Sequence, residues 1–79
     1  MTQELTQALE AAAQDPQAHG YCQEIAEILQ ARRQGQLSKE EAEYLLKEMA
    51  EVRLAQETAV NEQCVRWLVA AVSLAAKAV

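Results

Sequence analysis

Apolar positions recur at helical spacing along almost the whole chain. Leu5, Ala8, Leu9 and Ala12 predict a first helix over residues 3–14, with Thr2 as its cap. Asp15-Pro16 ends that helix and starts another. Asp15 is the expected N-cap and Pro16 takes the first helical position, where its missing N–H costs nothing. The second helix is predicted over 16–34, with Gly20 weakening its first turn and shifting the regular start toward Tyr21. Its apolar stripe is Ala18, Tyr21, Cys22, Ile25, Ile28 and Leu29, and Gln23, Glu24, Glu27 and Gln30 point outward. Arg32 and Arg33 occupy the last turn, where cations meet the negative end of the helix dipole.

The connection Gly35-Gln36-Leu37-Ser38 carries the most explicit local instructions. Gly35 is placed to turn the chain left-handed at a helix C-terminus. Ser38 with Glu41 forms a capping box, and Leu37 stands where a hydrophobic staple would pack on Ala42. A stop and a start three residues apart predict an antiparallel helical hairpin.

From Ser38 to Val79 there is neither Gly nor Pro. Ala42, Leu45, Leu46, Met49, Val60, Trp67, Ala71, Leu74 and Ala78 share one sector at 100° per residue. Leu45, Gln56, Trp67 and Ala78 are spaced by 11, as are Met49, Val60 and Ala71, so the register survives the polar stretch 53–57. One long helix over 39–79 is the expectation. A break at Thr58 or Asn61, either of which can cap a new helix, is the alternative.

Such a helix would be about 60 Å long, whereas helix two spans no more than about 28 Å. Helix two therefore covers residues 39–57 and little more, and helix one is shorter and only modestly apolar. Residues 58–79 are left without an evident cover, although they hold the most apolar run, Cys64 to Val79. Glu62, Arg66, Ser73 and Lys77 form one narrow polar stripe on it. An uncovered apolar helix predicts contact with another copy, another protein or lipid. The expected contact residues are Val65, Trp67, Leu68, Val69, Val72, Ala76 and Val79. Ile25, Leu29, Leu45 and Met49 are expected to hold the hairpin. Only ten residues separate Arg66 from Lys77, against about 20 needed to cross a bilayer. A lipid surface is therefore the less favoured partner.

Composition sharpens this picture. The chain has 79 residues, enough for a single small helical domain over 1–79. Ala (16) and Gln (10) dominate and Phe is absent, which favours helix over strand. The net charge of −5 has no basic stripe, and Arg32-Arg33 is the one adjacent cationic pair. Phosphate-backbone binding needs clustered cations, so no nucleic-acid partner is expected. Two cysteines cannot form a disulfide framework. A Cys22–Cys64 bridge is one reading; two buried thiols acting as small hydrophobes is the favoured one. The N-terminus lacks a signal-peptide pattern, which predicts a cytoplasmic or intraparticle location.

Candidate chemistry is thin. His19 and Cys22 are spaced i, i+3 and Cys64 could approach them, but zinc needs three or four ligands and no CxxC or HExxH is present. The carboxylates of 40–51 are interleaved with lysines, Glu43–Lys47 being a favourable i, i+4 pair, and read as a solvated face. No catalytic residue, cofactor site or metal site is expected.

The segment Gln-Gly-Gln-Leu-Ser-Lys-Glu-Glu-Ala-Glu-Tyr-Leu-Leu (34–46), followed by a helix with an apolar end, resembles small all-helical accessory virion and assembly proteins of tailed phages. The likeness covers about half the chain and assigns no residue a role. The expectation is an all-α protein: a short N-terminal helix, then an antiparallel hairpin whose long C-terminal helix oligomerises. Its expected function is non-enzymatic assembly with copies of itself or a larger partner. A helical chaperone or inhibitor of one client protein and a membrane-active helical protein are the alternatives.

Overall fold

The computed structural model describes residues 3–79. Thr2, the expected first cap, lies outside the described residues. Those residues form four α-helices and no strand: α1 (Gln3–Ala12), α2 (His19–Arg33), α3 (Lys39–Glu48) and α4 (Glu62–Ala78).

Helix α1 buries Leu5, Ala8 and Ala12, the stripe expected of it. Asp15 then caps a short 3-10 turn, Pro16–Ala18, accepting from the Gln17 amide at 2.9 Å. The second helix is therefore tight over its first three residues and regular from His19. At its far end Gly35 has φ +80°, a conformation costly for any residue with a Cβ. The Gln36 amide donates to the Ala31 carbonyl at 2.8 Å, and the Gly35 amide to Arg32 at 3.1 Å. Those two bonds make a Schellman ending and satisfy carbonyls the helix leaves open. Ser38 starts α3 with its capping box complete: the Glu41 amide donates to Ser38 Oγ at 3.1 Å, and the Ser38 amide to Glu41 Oε1 at 3.0 Å. Helices α2 and α3 contact each other across this connection.

The expected single helix over 39–79 does not form. Helix α3 ends at Glu48 and widens into a π-helical turn, Met49–Arg53, in which the Leu54 amide reaches back five residues to the Met49 carbonyl at 2.8 Å. Residues 54–61 then redirect the chain. Asn61 caps α4, accepting from the Gln63 amide at 2.8 Å, so the break falls at one of the two alternative positions. A 41-residue helix would extend about 60 Å. The longest dimension of the molecule is 33 Å.

Burial and polar ties both favour the break. Leu54 and Val60, on either side of the polar loop, enter the core. Asp15 accepts the Asn61 amide at 2.8 Å with its second oxygen, tying the start of α4 to the turn after α1. Glu57 accepts from the Tyr21 hydroxyl and from the Ala59 amide at 2.8 Å. Arg53 grips Glu24 with both terminal nitrogens and lies 5.2 Å above the Tyr21 ring.

A second expectation is corrected with the first. Residues 58–79 are covered from within the chain, because α4 packs chiefly on α1 and also on α3 and α2. Leu68, Ala71, Val72 and Ala75 join Leu5, Ala8 and Ala12 of α1, Ile25 and Leu29 of α2, and Leu46 and Met49 in one core. Helix α1, expected to be short and only modestly apolar, provides most of the cover. Of the four residues expected to hold the hairpin, Ile25, Leu29 and Met49 are buried. Leu45 remains 37% exposed, and Leu46 takes the inward place.

Candidate interaction surface

Helix α4 turns Glu62, Arg66, Ser73 and Lys77 outward, and Arg66 pairs with Glu62 at 3.2 Å. The seven expected contact residues divide around that stripe. Leu68 is 0% and Val72 3% exposed, so both belong to the core of this chain. Val65, Ala76 and Val79 are half-buried. Trp67 and Val69 remain exposed, at 41% and 38%. Helical geometry sets these two on opposite edges of the polar stripe, so a single flat contact does not use both.

Val69, Val72 and Ala76, spaced i, i+3 and i+7, share the edge of α4 that meets α3. There a hollow of about 430 Å³ is floored by Ala50, Val72 and Ala76 and rimmed by Glu43, Lys47, Glu51, Ser73 and Lys77. A second hollow of about 270 Å³ lies between Tyr44, Lys47, Glu48, Glu51 and Val52. Both are lined by Lys47 and Glu51, so they adjoin across that pair. The result is one continuous face on α3 and α4, part apolar and part ionic. Tyr44 is 65% exposed and Val52 is exposed on it.

The reading of residues 40–51 as a solvated charged face gave Tyr44 no role, and Val52, just beyond that run, was not among the expected contact residues. One signal was available. Tyr44 lies two positions off the inward pair Ala42 and Leu46, on the outer side of the helix with Glu48 and Glu51. A large aromatic residue there has no internal use.

Elsewhere several polar groups are tied into the fold. His19 Nε2 faces the Ala13 carbonyl, and the Cys22 thiol lies 3.6 Å from the Leu9 carbonyl. Both cysteines are free. Burial pushes the Cys22 thiol above its ordinary pKa and nearby Cys64 adds to the effect, which suppresses the reactive thiolate. Among the described residues no group of three or more His, Cys, Asp or Glu side chains is assembled to hold a metal ion.

Three carboxylates have lowered pKa values. The Asn61 and Gln17 amides lower Asp15, the Ser38 amide and hydroxyl lower Glu41, and the Tyr21 hydroxyl with the Ala59 amide lowers Glu57. Each is shifted opposite to what a proton donor at neutral pH requires. Among the described residues no helix is long and apolar enough to cross a membrane. No protein-family model, curated protein or solved structure matches the chain.

Proposed function

We propose that this protein is a non-catalytic assembly component that packs against copies of itself through the α3–α4 face. The observation that carries the reading is Tyr44, an aromatic side chain 65% exposed beside an apolar-floored hollow. Tyrosine contributes contact area at low entropic cost and is enriched where interfaces are energetically strongest. The rim charges fit a second copy. Glu43 and Glu51 alternate with Lys47 and Lys77, and a two-fold axis sets the same patch against itself, so each carboxylate can meet an ammonium of the other copy. On this reading Val69 and Ala76 are the expected contact residues that keep that role, while Leu68 and Val72 support them from inside. The likeness of residues 34–46 to accessory virion proteins is compatible with such a part in a larger particle.

Sedimentation velocity over a range of concentrations tests the proposal. The parent chain is expected to exceed the 8.7 kDa of one copy as concentration rises. Tyr44→Ala should return it toward that mass without loss of helicity. Trp67→Ala, on the far edge of α4, should leave association intact. A parent that stays at one-copy mass at every concentration, or a Tyr44→Ala variant that associates like the parent, would refute the proposal.

A further inference from the structure

Helix α3 runs into the π-helical turn Met49–Arg53, and Leu54 after it keeps helical angles, φ −72° and ψ −31°. Helix α4 begins at Glu62. Only residues 55–61 separate the two helical stretches, and they contain neither Gly nor Pro. Polar ties at the surface hold this break: Asp15 accepts the Asn61 amide, and Glu57 accepts from the Tyr21 hydroxyl and the Ala59 amide. Beyond the break, α4 packs chiefly on α1, the helix farthest from it in sequence. Nothing in that packing requires α1 and α4 to belong to the same copy.

Four apolar residues around the break have no inward use: Leu45, Val52, Ala55 and Ala59 are all exposed. Leu45, Val52 and Ala59 are spaced by seven, which sets them along one edge of a continuous helix with Ala55 beside them. The loop interrupts that edge in the single chain. From these observations we infer that two copies of this chain exchange α4. Residues 55–61 become helical, and each α4 docks on α1, α2 and α3 of the other copy. The docking contacts are those of the single chain, so the hinge decides the balance. A single chain keeps Leu54 and Val60 buried and its polar ties made. An exchanged pair sets its two hinges side by side about a two-fold axis, along the Leu45–Val52–Ala59 edge. The single chain prevails when dilute, and concentration favours the pair. Exchange uses the inward side of α4 and leaves Tyr44 out, so it stands apart from the assembly reading.

The test is to unfold the chain in urea at high concentration, refold it, dilute it and measure mass by size exclusion with light scattering. A species of twice the one-copy mass is expected to persist on dilution, because its return requires α4 to leave the core. Tyr44→Ala should form it as the parent does, whereas association through the α3–α4 face would be lost. Ala55→Gly with Ala59→Gly puts four glycines into the helical hinges of a pair. It should lower the pairing constant by about a hundredfold or more while the exposed loop of the single chain tolerates it. Asn61→Ala removes a cap that a continuous helix does not need, and should raise pairing by about tenfold or more. Spin labels at Tyr44 and Ser73 in a Cys22→Ala, Cys64→Ala background, diluted with unlabelled chain before refolding, read the hinge directly. The pair should show about 44 Å within one chain, beyond the 33 Å length of the single copy. Refolding that yields one-copy mass alone, a double-glycine variant that pairs like the parent, or a pair whose labels stay within 33 Å would each overturn the inference.

Discussion

Leu68 and Val69 are neighbours in sequence and opposites in the fold, and substituting each by alanine asks whether α4 is covered by its own chain. Leu68 is 0% exposed and belongs to the core shared by α1, α2 and α3. Truncating a fully buried leucine removes its transfer free energy and leaves a cavity, at about 3 kcal/mol within a usual range of about 2–5. At about 0.05–0.15 kcal/mol per residue, a chain this size has about 4–12 kcal/mol in total. Leu68→Ala therefore removes a quarter to most of it and should lower the melting temperature by about 12–24 °C. Val69 is 38% exposed, so Val69→Ala removes two partly solvated methyl groups and should cost below about 1 kcal/mol. Urea unfolding followed by circular dichroism, with sedimentation in parallel, measures both. If Leu68→Ala cost no more than Val69→Ala while changing the associated mass, α4 would be covered by a partner, and the intrachain packing derived above would be wrong.

Three further outcomes are expected. Ser38→Ala should cost about 1 kcal/mol by opening the capping box. Gly35→Val should cost more: a Cβ at Gly35 meets nothing within 4 Å, but φ +80° is strained for a β-branched residue, and thermal melts of the two variants should rank in that order. Asp15, Glu41 and Glu57 have folded pKa values below their ordinary range, so their contribution is complete above about pH 5 and is lost as pH falls through the folded values. Melting temperature should accordingly hold near neutrality and drop below about pH 4, less steeply in Asp15→Asn; a parent profile flat down to about pH 2 would refute the assignment. Spin labels at Tyr44 and Ser73 would lie about 44 Å apart on a continuous helix, and pulsed-EPR distances well inside the 33 Å long axis are expected instead.

The features readable in the sequence are those set by neighbours a few residues apart. Gly35 and the Ser38–Glu41 pair are geometric requirements met within one turn, and the structure uses both as the residues imply. Asp15-Pro16 acts the same way, with one addition that no local rule contains. The second carboxylate oxygen of Asp15 receives an amide 46 positions away, at Asn61. The outward polar stripe of α4 was legible as well, because a periodic pattern reports which side of one helix meets water.

Periodicity does not report which helix supplies the cover, and for that reason the sequence favours one long helix and offers the break at Asn61 only as the alternative. The 11-residue spacing through 53–57 keeps one face aligned whether the helix continues or stops, provided each half is amphipathic. In the folded chain the two halves bury different sectors. Helix α3 turns Ala42 and Leu46 inward, while α4 buries Leu68, Ala71, Val72 and Ala75 and leaves Trp67 exposed. A continuous helix would have left the 62–78 segment in water with Leu5, Ala8 and Ala12 uncovered as well. Folding back at 54–61 removes both apolar surfaces at once, at the cost of a short polar loop held by Glu57, Arg53 and Asp15. A helix apolar nearly all round is a buried one, and α4 meets that condition by contacting α1, α2 and α3. The proposed self-association therefore rests on a place where the chain has no inward use for an apolar residue, and Tyr44 is the largest such residue on the α3–α4 face.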